Sequence, residues 1–310
     1  MPELPEVQTI VNDLNKKIIK RRITGVWFDT PKLIKRPKPE DLRFKIKDLR
    51  ISGIKRRGKN ILIYLSQKPK VLPCRQAGKS QKFLLLIHQK LTGHLLYGKW
   101  NVKREKGKDR IIPLIKGPLE EKVNNYIHLI FYLDNGWQLA LSDLRKFAKV
   151  LFGLKEEIEN SPDLKSLGPE PLDKSFNFSI FQSAILKNKG KIKQVLMDQE
   201  VIAGIGNIYS DEILWQAKIH PLRRVNELTV NELKGLYSAM RKILTKAVRL
   251  RGTSTSDYRD TTGKPGAYAK IRKAYQREGE PCPRCKTLIK RIKIGGRSAH
   301  YCPACQRLKP

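Results

Sequence analysis

Acid is scarce in this sequence. Its 310 residues hold 29 Asp and Glu against 64 Lys and Arg, a formal net charge of +35. Basic side chains that meet phosphates release condensed counterions, so the surplus favours a polyanionic partner. A solvated basic surface, ribosomal RNA or an anionic membrane face would leave the same composition. Long apolar runs are also missing: no stretch of roughly 18 apolar residues occurs, which excludes a transmembrane helix. The opening Met-Pro-Glu-Leu-Pro-Glu has neither a basic flank nor an apolar core, so it is not a signal peptide. A cytoplasmic protein without a membrane partner is expected. A complete phosphate-binding loop is absent. Ala77-Gly78-Lys79-Ser80 resembles the end of one, but its first glycine would fall at Pro73, and no strand–loop–helix pattern surrounds it. No internal repeat is found.

What is present suffices for folded domains. Hydrophobic residues make up 40% of the chain, and its length allows one large or two ordinary domains with real cores. Val7, Ile10, Val11, Leu14 and Ile18 fall on one face of a helix over 5–19. Short apolar, β-branched segments follow at Ile23–Phe28, Ile61–Leu65, Phe83–His88, His128–Leu133 and Trp137–Leu141, with Asn135-Gly136 as a turn. They predict an all-β, sandwich-like domain. Two lysine-rich stretches, about residues 66–82 and 99–125, read as surface loops. Ser161-Pro162, Gly168-Pro169 and Pro171 mark a linker over 159–176. Helical patterns then run over 179–188, 191–198, 207–217 and 229–250. The last opens with Thr229 and Glu232 in capping-box spacing. Residues 251–279 are polar and read as a mobile loop.

Five cysteines occur, and four form Cys282-x2-Cys285-x16-Cys302-x2-Cys305. In a reducing compartment such pairs read as metal ligands rather than disulfides. Four thiolates can enclose one tetrahedral zinc ion and leave no open position, so the zinc is expected to be structural. A redox pair is the alternative, and the presence of two such pairs argues against it. Lys286, Lys290, Arg291, Lys293 and Arg297 lie between the pairs, with Gly295-Gly296 as a turn. A two-stranded ribbon with a basic tip suits a nucleic-acid groove. Cys74 has no nearby partner and is incidental.

Pro2 follows the initiator Met. Removal of Met1 would expose a secondary amine, a good nucleophile toward a sugar aldehyde or its equivalent. Glu3 and Glu6 offer carboxylates for proton transfer. On these residues alone, a helix lead-in with proline and acids in the first turn is the better reading.

Six motifs in order reverse that judgement. Pro2-Glu3-Leu4-Pro5-Glu6-Val7 resembles the opening of formamidopyrimidine-DNA glycosylases, bacterial enzymes that remove oxidised purines. Arg56-Arg57-Gly58-Lys59 resembles their catalytic-lysine turn. Leu141-Ser142-Asp143-Leu144-Arg145-Lys146-Phe147 is similar to their Arg–Phe loop. Leu196-Met197-Asp198-Gln199 and Gly204-Ile205-Gly206-Asn207-Ile208-Tyr209-Ser210-Asp211-Glu212 are similar to their helix–two-turns–helix. Gly263-Lys264-Pro265-Gly266 and the cysteine module complete the series. Only the two lysine-rich stretches lack a counterpart.

The resemblance implies an α+β multidomain protein. Its parts would be a β-rich catalytic domain over 1–158 with an N-terminal helix, the linker over 159–176, a helix–two-turns–helix domain with a lesion-recognition loop over 177–278, and a zinc-ribbon finger over 279–310. It also implies a bifunctional glycosylase and abasic-site lyase, acting as a monomer on double-stranded DNA that carries oxidised bases or abasic sites. Such an enzyme would be cytoplasmic and associated with the nucleoid through DNA. Pro2 would be the nucleophile and Glu3 the proton donor. Lys59 would assist elimination, and Arg297 would grip a phosphate and serve the second elimination. His88, His128, Arg145, Lys189, Lys193 and Asn207 would contact DNA. Leu91, Arg145 and Phe147 would fill the hole left by a flipped base.

Each assignment has a plainer alternative: His128 an ordinary strand histidine, Lys189 and Lys193 a solvated helix face, Leu91 core packing. His88-Gln89-Lys90-Leu91 departs from the family pattern, with Leu91 where Met is usual and Gln89-Lys90 where Leu-Gly is usual. The recognition loop, near Thr253–Tyr268, carries Ser254 and Ser256, which leaves lesion preference less fixed than the chemistry. Two other functions remain open on the sequence. One is an endonuclease VIII-like enzyme for oxidised pyrimidines, against which Leu4 and the Arg145–Phe147 loop speak. The other is a non-catalytic zinc-stabilised nucleic-acid binder, against which the intact Pro2, Glu3 and Lys59 speak.

Overall fold

The computed structural model describes residues 1–67, 81–105 and 107–308. Pro73, Cys74 and Ala77-Gly78-Lys79-Ser80 lie outside the described residues, as does most of the first lysine-rich stretch. The chain divides into two compact units. One holds Met1–Pro2, Glu6–Lys165 and Thr253–Gly266; the other holds Glu3–Pro5, Ser166–Gly252 and Ala267–Pro310.

The first unit is a β-sandwich. Helix α1 spans Leu4–Lys17, its residues from Glu6 onward belonging to this unit. The helical stripe read from sequence is the buried face: Val7, Ile10, Val11, Leu14 and Ile18 are all within the core. The remaining elements are β1 (Ile23–Phe28), β2 (Ile34–Arg36), α2 (Pro39–Lys45), β3 (Arg50–Arg57), β4 (Asn60–Ser66), β5 (Lys82–His88) and β6 (His94–Gly98). After them come β7 (Trp100–Glu105), β8 (Lys108–Pro113), β9 (Ile127–Leu133), β10 (Gln138–Ser142), β11 (Lys149–Leu154), α3 (Lys155–Glu159) and α4 (Pro162–Lys165).

One sheet runs β1-β9-β10-β6, the other β2-β11-β5-β4-β3. All neighbours are antiparallel except β2 beside β11. Leu85 and Ile87 of β5, Ile61 and Ile63 of β4, and Leu129 and Phe131 of β9 meet in one core. Alternate residues along a strand share a face, so each of these pairs points inward together.

The second lysine-rich stretch is not a loop. β7 and β8 pair as an antiparallel hairpin, which sets Trp100 opposite Pro113 and Val102 opposite Ile111. Its apolar residues cover the four-stranded sheet from outside. Trp100 and Leu119 are buried there against Leu96, Ile130 and Ala140. The strand signal is hidden because residues 103–110 are charged or glycine without a break, and the apolar Trp100, Val102 and Ile111 that pack on the sheet are sparse. The linker also carries structure: Leu164 of α4 is buried.

The second unit is helical. It contains α5 (Phe178–Leu186), α6 (Ile192–Met197), α7 (Asn207–Ala217) and α8 (Val230–Arg249). The capping box forms at α8 as expected: Glu232 N donates to Thr229 Oγ1 (3.2 Å) and Thr229 N to the Glu232 carboxylate (2.9 Å). Leu4 belongs to this unit's core, beside Ile205 and Tyr209. Gly204 makes room for it: a Cβ there would come within 2.8 Å of Leu4 Cβ, and its φ is +95°. A ribbon of β12 (Lys290–Ile294) and β13 (Arg297–Tyr301) closes the unit. Among the described residues, no helix is long and apolar enough to cross a membrane.

Candidate active site

Pro2 is buried. In the same unit, β3 and β4 are joined through Gly58-Lys59, with Arg57 opposite Asn60. Gly58 has φ +56°, the left-handed conformation that a two-residue hairpin loop demands at its first position. Arg56 braces the turn by donating to Gly58 O and to Gln8 Oε1, both at 2.9 Å. Lys59 is thereby held on a rigid turn and is buried.

The His88–Gly93 segment is equally fixed. His88 Nδ1 accepts from Lys90 N (3.0 Å). Burial, with Lys90 and Lys59 nearby, pushes its pKa down to about 3. The ring is thus neutral at ordinary pH, with its hydrogen on Nε2. Asp143 organises the Arg–Phe loop: its carboxylate accepts from Phe147 N and Ala148 N, both at 2.7 Å, and from Thr92 Oγ1. Arg145 N donates in turn to Thr92 Oγ1 (3.1 Å). The two loops are therefore one construction. Phe147 stands out, about half exposed, and the Arg145 guanidinium lies 4.6 Å from the centroid of its ring.

Lys90 and Lys146 sit directly before Leu91 and Phe147, and both have φ +55°. With Lys32 and Lys35 they line a cleft of about 470 Å³ around Leu91 and Phe147. Four cations beside two apolar projections suit a phosphate backbone whose bases are being parted.

His128 is buried on β9, and Asp29 accepts from its Nδ1 (2.9 Å). Burial pushes the Asp29 carboxyl up, but the His128 and Thr30 hydrogen bonds and Lys146 outweigh it and hold it below its usual value. The other ring nitrogen, Nε2, is buried and has no hydrogen-bond partner. Buried polar atoms are rarely left so, and a phosphate oxygen would satisfy it when the ring carries hydrogen on both nitrogens.

In the second unit, Glu3 caps α7. Its carboxylate accepts from Gly206 N (2.7 Å), Ile208 N (2.9 Å) and Tyr209 N (3.3 Å). Helix N-termini present unpaired N–H groups and a favourable dipole to an anion. Gly206 is required for the approach, because a Cβ there would fall 2.5 Å from the Glu3 carboxylate. Asn207 Oδ1, one residue on, is buried without a partner. It opens on a cleft of about 450 Å³ shared with Tyr275, Arg291, Ser298 and His300. Lys189 is exposed.

Lys193 departs from expectation. It faces neither solvent nor a phosphate: it is 1% exposed, and its ammonium pairs with Asp211 and donates to Ser210 Oγ (3.1 Å). Asp211 also accepts from His300 N and from His300 Nδ1, both at 2.9 Å. Lys193 is thus a strut between α6, α7 and β13. Its helical spacing could not reveal this, because the partner carboxylate lies 18 residues away.

Arg297 is exposed at the ribbon tip. Gly295 and Gly296 ahead of it have φ +54° and +75°, the two positive values of a tight hairpin turn. The sulfurs of Cys282, Cys285, Cys302 and Cys305 all lie within 4.8 Å of one another. Four thiolates on one tetrahedral zinc stand about 3.8 Å apart, so donor type and spacing fit that ion. Trp215 Nε1 donates to Cys282 Sγ (3.4 Å).

Comparisons with known proteins place the chain in a family. The family model for the formamidopyrimidine-DNA glycosylase N-terminal domain matches residues 1–150. The model for that glycosylase's H2TH domain matches 167–259, and the zinc finger found in FPG and IleRS matches 279–308. A formamidopyrimidine-DNA glycosylase of Desulforamulus reducens is 37% identical over 310 residues, all of both chains. The chain belongs to the formamidopyrimidine-DNA glycosylase family.

A relative from Streptococcus pneumoniae is 33% identical over 307 residues, covering 99% of each chain. The Lactococcus lactis Fpg solved in complex with abasic-site DNA is 30% identical, with a TM-score of 0.80 over 99% of this chain and 100% of that one. A MutM complex with carbocyclic 8-oxo-G DNA gives the same score and identity. As a formamidopyrimidine-DNA glycosylase, the chain is a DNA glycosylase with abasic-site lyase activity, and its four cysteines hold one structural zinc ion.

Sequence reasoning missed the supports. Asp29, Asp143, Asp211 and Tyr275 were either unremarked or quoted only inside a motif. Glu212, fully buried, accepts from Lys273 N, Ala274 N and Tyr275 N at 2.8–3.1 Å. An acid inside an otherwise apolar helical face is the signal that would have marked Asp211 and Glu212 as partnered.

Proposed function

We propose that this glycosylase excises oxidised purines, 8-oxoguanine and formamidopyrimidines, from double-stranded DNA and cleaves the abasic strand by β,δ-elimination. With Met1 removed, the Pro2 amine attacks the sugar carbon as the C–N bond to the base breaks. The base leaves with a proton passed through Glu3, the sugar ring then opens as the C1′–O4′ bond breaks and Glu3 gives a proton to O4′, and the resulting iminium makes the neighbouring sugar protons acidic. Two eliminations then expel the flanking phosphates, Lys59 serving the first and Arg297 the second. The observation that carries this reading is the Glu3 carboxylate locked onto three N–H groups, which fixes the chain at its neighbour Pro2. His88, His128, Lys189 and Asn207 hold phosphates, and Leu91, Arg145 and Phe147 fill the vacated stack.

The abasic-site and 8-oxo-G complexes of the structural relatives support the substrate class. The enzyme works in the bacterial cytoplasm, on the nucleoid. An oligonucleotide panel tests the reading directly. Duplexes with 8-oxoguanine or formamidopyrimidine should lose the base and be nicked. Preferential cleavage at dihydrouracil would place it with endonuclease VIII, and binding without base release or nicking would make it a non-catalytic binder.

Two further expectations follow from the contacts. If about six phosphates are neutralised, log affinity should fall against log salt with a slope near −5; a slope near zero on lesion DNA would remove the electrostatic argument. Arg145→Ala should weaken discrimination of the base opposite the lesion by about 1–3 kcal/mol, because a directed pair of hydrogen bonds to one base edge is lost. Base release should persist, more slowly, with every partner. An unchanged ratio between cytosine and adenine partners would show that Arg145 does not read the base.

A further inference from the structure

The second lysine-rich stretch has no counterpart among the sequence motifs, yet it ends in one of the most tightly held side chains of the first unit. Asn124 is fully buried. Its Nδ2 donates to Pro118 O (2.7 Å) and to Gly263 O (3.4 Å). Its Oδ1 lies 2.9 Å from His94 Nε2. The fit at Gly263 is close: φ is +83°, and a Cβ there would come within 2.9 Å of both Asn124 Nδ2 and Pro118 O. Two more contacts reach the 253–266 segment, the second of them from β6. Glu121 accepts from Arg259 Nε (3.1 Å), and Tyr97 N donates to Thr261 O (2.8 Å).

From its other side the 253–266 segment is tied to α1. Thr253 N donates to Glu6 Oε1 (2.6 Å), and Thr261 Oγ1 donates to Asp13 Oδ2 (2.8 Å). Its chain is also folded on itself, with Asp260 Oδ1 accepting from Thr262 N and Lys264 N. A segment that reads from sequence as a polar, mobile loop is therefore clamped at Thr253, Arg259, Thr261 and Gly263. Tyr258 adds a further tie, its hydroxyl donating to Glu6 O (3.3 Å).

We infer that Asn124 and Glu121 are positioning residues for base excision: they form a ledge that holds the recognition loop, Thr253–Gly266, in its base-accepting arrangement before DNA arrives. This rests on the proposed excision of oxidised purines and on the resemblance that marks the segment near Thr253–Tyr268 as the lesion-recognition loop. A loop that is already ordered spares the ordering cost at binding, and apparent affinity falls in proportion as the ordered fraction falls. An abasic site has no base for the loop to hold. Its nicking needs Pro2, Lys59 and Arg297 but not the ledge.

The test compares two substrates in one duplex sequence, 8-oxoguanine and a natural abasic site, under single-turnover conditions. Asn124→Ala should raise the half-saturating enzyme concentration for 8-oxoguanine release about tenfold and leave abasic nicking within about twofold. Backbone amides of 253–266 should exchange with deuterium faster. Glu121→Arg, which sets two cations against each other at an exposed edge, should do the same on a smaller scale. Glu121→Arg with Arg259→Glu should recover part of the parent's behaviour, because the ion pair returns while the Arg259 Nη1 bonds to Ser256 O and Tyr258 O are lost, and this pair keeps the test valid if Asn124→Ala disturbs folding. Unchanged loop exchange and unchanged base release in both single variants would overturn the inference, as would an equal fall in the two activities. A parent enzyme that nicks abasic DNA but releases no oxidised purine would instead sink the substrate assignment, and amide exchange alone would then decide whether the ledge orders the loop.

Discussion

Protein that retains Met1, or carries an uncleaved N-terminal tag, should give no borohydride-trapped complex with lesion DNA, while Met1-free protein should be trapped efficiently. A residue in front of Pro2 converts its nitrogen into a tertiary amide whose lone pair is delocalised into the carbonyl. Such a nitrogen cannot form an iminium. The fold should survive, because Met1 is exposed and the Glu3 carboxylate anchors the start of the chain. Lesion DNA should therefore still bind. Pro2→Gly keeps a primary amine and should keep partial trapping, whereas Glu3→Gln should bind DNA but release little base. Glu3→Gln carries a second consequence that the geometry adds. An amide in that place turns one acceptor into a donor facing the N–H groups of Gly206, Ile208 and Tyr209, so the start of α7 should loosen as well. Mass spectrometry fixes the N-terminus in each sample. Efficient trapping of protein shown to be uncleaved would remove Pro2 as nucleophile and make Lys59 the leading amine.

Loss of zinc should have an effect of similar size by a different route. Cys282 and Cys302 are fully buried and pack with Trp215, Ala274 and Ile289 in a small cluster of their own. That cluster has too little apolar surface to stand alone, and structural zinc sites of this kind supply about 10–16 kcal/mol of apparent binding energy that is also folding energy. Cys282→Ser removes a ligand, unfolds the ribbon and sets Arg297 adrift. Nicking should drop by about a hundredfold or more, the scale of losing one group that stabilises developing charge. The sandwich has a separate core and should keep its circular dichroism and its own melting transition. Undiminished nicking by protein shown to be free of zinc would make the ribbon dispensable.

The elements that read most clearly from sequence are those with one dominant period. The α1 and α8 stripes came through because their apolar residues recur at helical spacing along one face. The β7–β8 hairpin did not, because its inward residues are diluted among lysines and its contribution is to cover a sheet already formed. The short β6, between Gly93 and Lys99, was lost for a related reason: His94, Leu95, Leu96 and Tyr97 show no alternation, and Leu95 and Leu96 are buried on opposite sides of the sheet. At the candidate active site, the residues proposed to meet DNA or sugar were named from motifs, since chemistry restricts their type. The residues that hold them could not. Asp29 lies 99 positions from His128 and Asp211 lies 89 from His300, separations that only the folded chain brings together. Lys193 shows the reverse error, a residue of the right type for phosphate whose charge is already spoken for inside the protein.

The left-handed backbone at Lys90 and Lys146 bears on how this enzyme would respond to selection for heat resistance. A non-glycine residue at such φ costs about 1–2 kcal/mol relative to an unstrained position, and glycine relieves most of that strain, less the entropy it adds to the unfolded chain. Neither lysine's backbone bond would be lost, since Lys90 N donates to His88 Nδ1 and Lys146 N to Asp143 O. A random library screened only for survival at high temperature should accordingly return Lys90→Gly and Lys146→Gly. Both survivors would have given up a cation from the cleft beside Leu91 and Phe147, so the same library screened on DNA at high salt should reject them.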